Sequence, residues 1–297
     1  MTRIQADLLL LFAAALWGVA FFFQKEAMSH IGPWTFIAGR SWLAVLALAP
    51  LIRLDSRQGG TEGMAPGLAR LAFLCGLAFL AAAFLQQKGL TTASVTNTGF
   101  LTSLYVVFTP LVGWILIRSR PPRMVWPAIG LSFAGTWLLG GGMLGGLGTG
   151  DYLIIAGSLF WATHCVLSAM ASRLGRPLTF TVVQFATVAA LSTGAAVVLE
   201  HPSPGALQAA AIPILFVGLV STAFTFTIFI IAMRHTTPQE AAVLLSAESL
   251  FAAAAGSILL DERLSSIAWT GAALMTASVL LVQLGPRLGR RLSRAGA

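Results

Sequence analysis

One carboxylic acid stands where chemistry is hard to avoid. Glu248 lies in "LLSAESLFAAAAGS" (244–257), a stretch otherwise suited to hydrocarbon. A charged acid at a bilayer centre costs at least about 2.5 kcal/mol on insertion scales. It must face a water-filled cavity, pair with a cation or carry a proton. Three roles follow: ligand for a substrate ammonium, proton carrier, or hydrogen-bonder to a neighbouring helix. Tyr105 stands 143 positions earlier in a similar apolar setting. Beside it, "TNTGFLTSLY" (96–105) adds Asn97, Thr98 and Thr102 as hydrogen-bonding groups.

Further polar and aromatic groups lie inside apolar runs. His164 is three residues beyond Trp161 and is the one histidine deep in such a run. It could move a proton near neutral pH or simply bond to a neighbouring helix. Arg40 could snorkel, pair with an acid, or hold a carboxylate in its planar fork. Trp34, Trp114, Trp126, Trp137 and Trp269 fall near run ends, as an interfacial belt requires. Trp17, Trp42 and Trp161 do not. Indoles at mid-depth could line a cavity and stack on aromatic or cationic ligands, or pack between helices. The expected substrate-binding set is therefore Trp17, Arg40, Trp42, Asn97, Thr98, Tyr105, Trp161, His164 and Glu248. Glu248 and His164 are also the candidates for proton coupling. Cys75 and Cys165 lack metal-ligand spacing and imply no disulfide framework. No metal, cofactor or catalytic residue is expected.

The elements that position these groups are set by composition. Of 297 residues, 57% are hydrophobic and 9% are charged, whereas soluble domains carry about 25% charged residues. The chain reads as a polytopic membrane protein. Runs near the roughly 20 residues that a spanning helix needs fall at 7–26, 33–52, 68–88, 95–117, 124–141, 151–171, 178–199, 210–232, 239–260 and 266–284. They are long and continuous rather than short and alternating, so an all-α bundle is expected, not a barrel. The apolar N-terminus has no convincing small-residue cleavage site and is read as a helix that stays. Pro33, Pro177 and Pro238 suit first turns. Pro110, inside the fourth run, is expected to bend it.

The net charge of +8 is a topology signal. With ten spans, fourteen Lys and Arg residues fall on the side of the termini, and only Lys25, Lys88 and Arg263 on the other. The positive-inside rule then places both termini in the cytoplasm. The tail "PRLGRRLSRAGA" acts as a stop signal or touches anionic lipid. No nucleic-acid partner is implied.

The halves repeat. "DLLLLFAAALW" (7–17) matches "DYLIIAGSLFW" (151–161), and "PWTF" (33–36) matches "PLTF" (177–180), both at an offset of 144. Trp126 meets Trp269 at 143. Two five-helix units follow, 1–143 and 144–286, with a basic tail at 287–297. Five is odd, so the second unit enters from the opposite side. Such inverted repeats typify secondary transporters, with the site near the midplane.

"LWGVAFF" in the first run, "FLTSLYVVFTPLVGWIL" in the fourth and "ILLDERL" closing the ninth carry a family resemblance. The chain resembles the drug/metabolite transporter (DMT) superfamily, in its EamA-type ten-helix branch. The family usually ends helices 4 and 9 with Gly-Glu; here the second copy has Asp261-Glu262, and the first has "IRSRP" without an acid. The resemblance implies a 5+5 exporter in a bacterial inner membrane with a large central cavity. Family substrates include amino acids, other metabolites and drugs. The mid-depth Trp and Tyr residues favour aromatic or hydrophobic amino acids, as in an aromatic amino acid exporter branch.

No P-loop is present, so the expected mechanism is gradient-driven or facilitated export by alternating access. A small-molecule substrate and membrane lipid are the expected partners. A monomer is expected, with a dimer as the alternative. Competing readings are a multidrug or other metabolite exporter, a non-transporting lipid-handling subunit, and an intramembrane enzyme. The last lacks an H-E-x-x-H motif and a second deep acid.

Overall fold

The computed structural model describes residues 1–56, 66–118, 123, 125–139, 147–261, 263 and 265–295. Glu262, Arg57, Arg120 and the last two residues of the basic tail lie outside the described residues. The described chain forms ten apolar helices. They are α1 (Arg3–Met28), α2 (Pro33–Asp55), α3 (Gly67–Leu90), α4 (Val95–Ile117), α5 (Val125–Leu139), α6 (Thr149–Ser172), α7 (Pro177–Leu199), α8 (Ala211–His235), α9 (Pro238–Leu259) and α10 (Ser266–Ala295). A short helix, Pro204–Ala209, joins α7 to α8. Eight helices have the length and apolarity to cross hydrocarbon; Val125–Leu138 and Ser266–Val282 are shorter apolar segments.

Among the described residues, three pairs of equivalent helices pack together: α2 with α7, α4 with α9 and α5 with α10. Asp55, at the end of α2, accepts from the N–H and hydroxyl of Thr179 in the first turn of α7, at 2.7 and 2.9 Å. Glu200, just past α7, accepts from the N–H groups of Trp34 and Thr35 in the first turn of α2, at 2.9 and 2.7 Å. Each helix thus ends in the acid that caps the other's start, where free N–H groups and the helix dipole favour an anion. The two must therefore lie antiparallel. Gly135 of α5 closely approaches Gly271 and Met275 of α10. On α3, Cys75 meets Ser168 of α6 and Gly89 meets Gly150, another antiparallel pair. Small residues permit these backbone approaches in lipid, where packing replaces the hydrophobic effect.

Three helices are interrupted or widened within their span, and α2 tightens to a 3₁₀ turn at Ala49–Leu51. In α4, the α-helix Val95–Thr102 stops and resumes at Tyr105–Ile117. In α9, Pro238–Leu245 stops and Glu248–Leu259 resumes. Both interruptions fall 143 residues apart, and both first halves begin at a hydroxyl cap, Ser94 and Thr237. The interruption of α4 lies at Ser103–Leu104, and Pro110, where a bend is expected, sits inside the second half of the helix. A serine hydroxyl stands at each break. Ser103 Oγ donates to Gly99 O at 2.9 Å, and Ser246 Oγ to Val243 O at 2.7 Å, competing for the carbonyls of the helix ladder. In α8, residues Phe216–Phe224 form a π-helix.

Candidate functional site

The two interruptions put Tyr105 and Glu248 in equivalent positions, each opening the second half of its helix. Glu248 is therefore not in mid-helix but in a first turn, where the dipole of Glu248–Leu259 favours an acid. Glu248 is 4% exposed. Its Oε1 and the Tyr105 hydroxyl have no hydrogen-bond partner among the described residues. Both side chains line one cavity at the junction of the two halves.

Trp17 and Trp161 form two walls of that cavity. Each indole donates to the third helix of the opposite half. Trp161 Nε1 bonds Gln86 Oε1 on α3 at 2.8 Å, and Trp17 Nε1 bonds Ser221 O on α8 at 3.0 Å. The second bond depends on the π-helix. The N–H of Thr225 reaches back to Val220 O, and regular α-helix resumes after it. The change of pitch leaves the Ser221 carbonyl without a ladder donor, and the indole supplies one. Phe226 and Phe229 continue this wall, their ring centroids 4.6 and 5.6 Å from Trp17.

Arg40 also reaches the cavity. It is 3% exposed, and its Nε donates to Thr222 Oγ1 at 3.0 Å. Its guanidinium carbon sits 5.2 Å from the Phe79 ring centroid, a cation–π distance. No acid pairs with it among the described residues. His164 lines the cavity with Nε2 3.3 Å from Gln184 Oε1. The amide oxygen only accepts, so this bond requires the proton on Nε2. The His164 ring stacks on Phe229 with centroids 6.0 Å apart.

The structure thus brings Trp17, Arg40, Tyr105, Trp161, His164 and Glu248 to one cavity. It does not bring Trp42, Asn97 or Thr98 there. Trp42 is 43% exposed and donates to Thr193 Oγ1 of α7 at 3.0 Å. Two positions from Arg40, it necessarily faces elsewhere. The Asn97 N–H is taken by the Ser94 cap at 3.0 Å, and the buried Thr98 hydroxyl by the Ser94 carbonyl at 2.7 Å. Gln24 and Gln86 are cavity residues that sequence reasoning passed over. Their signal was present: uncharged amides inside apolar runs.

The EamA-like transporter family model matches residues 4–141 and again 148–284. An uncharacterized transporter of Archaeoglobus fulgidus is 29% identical over 95% of this chain and 87% of its own length. The uncharacterized transporter YwfM of Bacillus subtilis is 27% identical over 95% and 94%. A solved crystal structure at 18% identity superposes with a TM-score of 0.74 over 98% of this chain and 99% of that one, which establishes likeness of fold.

Proposed function

The chain belongs to the EamA-like transporter family, and from that premise we propose that this multi-pass membrane protein exports amino acids, aromatic or hydrophobic ones above all. The two units, 1–143 and 144–286, alternate access to the shared cavity from a bacterial inner membrane, with both termini cytoplasmic. The observation that carries the reading is one aromatic cavity holding both an acid, Glu248, and an arginine, Arg40, neither of which forms an ion pair among the described residues. A zwitterion offers an ammonium to the first and a carboxylate to the second, while indole and phenyl faces take the side chain. His164 and Glu248 are the groups through which proton exchange would run.

The apolar walls support a second reading: a lipophilic cation could stack on Trp17 and Phe226 and pair with Glu248 alone. Counterflow in reconstituted liposomes distinguishes the two. Exchange of labelled aromatic amino acids, competed by other amino acids and not by lipophilic cations, is the expected result. Flux of lipophilic cations alone would replace the first reading with the second. Absence of protein-dependent flux across both panels would remove transport of either class.

A further inference from the structure

The polarity of one cavity wall is set by a residue that can only donate. The Trp161 indole has one N–H and no acceptor, and it bonds Gln86 Oε1 at 2.8 Å. Thr102 Oγ1 donates to the same oxygen at 3.2 Å. Gln86 must therefore direct its NH2 the other way, where its Nε2 donates to Gln24 Oε1 at 3.2 Å. Gln87 Nε2 donates to that oxygen as well. An amide oxygen carries two lone pairs, so the Gln24 carbonyl is fully used. Turning this amide over would set its NH2 against the NH2 of Gln86, whose direction Trp161 fixes.

What remains is the Gln24 NH2. It has no acceptor among the described residues, and Gln24 lines the cavity while only 4% exposed. The NH2 therefore faces the cavity as an available donor, and a ligand acceptor there would give it a partner. Arg40 adds further donors in the same cavity, since only its Nε is engaged, by Thr222.

We propose that Gln24 is a specificity-determining residue whose NH2 donates to an acceptor group of the substrate, a carboxylate in particular. Gln86 is the positioning residue that holds it so, under the direction of Trp161. The inference rests on the cavity being the substrate site. It assigns selection for the acid over its decarboxylated amine to a side chain separate from Glu248.

The test is competition binding on purified, monodisperse protein, with an aromatic amino acid and its decarboxylated amine as probes. Gln24→Leu is expected to weaken the acid roughly tenfold or more and leave the amine nearly unchanged, as loss of a hydrogen bond to a charged group requires. Gln24→Glu, which keeps shape and replaces donors by acceptors, is expected to reverse the preference toward the amine. Gln86→Met is expected to narrow the acid-to-amine ratio without touching Gln24. Equal weakening of both probes by Gln24→Leu, or an unchanged ratio in Gln24→Glu, overturns the assignment. A wild-type protein that binds the acid without moving it in liposomes counts against export, and leaves the Gln24 assignment to be judged on the binding ratios.

Discussion

The hydroxyl of Ser103 shares its one proton between Gly99 O at 2.9 Å and, across 143 residues of sequence, the backbone carbonyl of Ser246 at 3.3 Å. Each serine stands where its helix is interrupted, so the two breaks touch. The local ladders match as well. Leu104 N–H bonds Leu101 O at 3.3 Å, and Ala247 N–H bonds Leu244 O at 3.3 Å. A duplicated sequence has duplicated its irregularity, and the two copies meet there. Ser103→Ala removes the crossing bond and should cost about 0.5–1.5 kcal/mol. Thermal unfolding in detergent should register a small drop; no drop would mean the bond contributes nothing beyond solvation.

Glu248 should matter more to flux than to folding. Its Oε1 has no hydrogen-bond partner among the described residues, and it opens a helix whose dipole already favours it. Glu248→Ala should lower exchange roughly tenfold or more at equal membrane expression, by loss of a charge-assisted contact. Glu262→Ala, a second acid of the same sequence region, should lower it less. Equal activity of Glu248→Ala and wild type would deny the acid any part in transport.

The two faces of the bundle are not equally fastened. Arg3 Nη2 and Glu240 Oε1 lie 2.7 Å apart, tying the start of α1 to the start of α9. The equivalent positions of the other half are Leu147 and Asn97, which cannot form an ion pair. The repeat would otherwise make the two access states interchangeable, so this pair should bias the protein toward closure on the side of the termini. Glu240→Gln, in a Cys75→Ala background, should speed modification of cavity-lining Cys165 by an impermeant thiol reagent applied from that side. Asn97→Ala should not. Equal rates in Glu240→Gln and its parent would show that the pair biases nothing.

Gly18 holds α1 against the second half of α9. A Cβ at that position would lie 2.5 Å from both Glu248 O and Phe251 Cβ. One contact is backbone, which cannot swing away. Gly18→Ala should destabilise by about 1–3 kcal/mol, whereas Gly194→Ala, with nothing within 4 Å, should be near neutral or slightly stabilising. Matched thermal melts of the two variants check this, and similar melts would mean that α1 shifts to make room.

The ten helices were legible because lipid demands long apolar runs, and the halves because Asp7–Trp17 and Asp151–Trp161 still match. Trp17, Trp161, Tyr105 and Glu248 could be placed at similar depth from the offset alone. Direction around a helix was harder. Arg40 and Trp42 are two residues apart and cannot share a face, a constraint available from the sequence. Asn97 and Thr98 follow Ser94 at cap spacing, which accounts locally for the Asn97 N–H and the Thr98 hydroxyl. The breaks were not legible, since Ser103 and Ser246 look like small packing residues until their hydroxyls are seen on the helix carbonyls. Gln24 and Gln86 acquire meaning only when the chain of donors from Trp161 is followed.

The widened coil of α8 has a consequence for the aromatic wall. Phe226 and Phe229 come after Phe216–Phe224, so their bearing around the axis is inherited from that stretch. Excising one residue there would swing everything downstream by about 100°. Both phenyl rings would then turn off the cavity together, with no aromatic side chain altered.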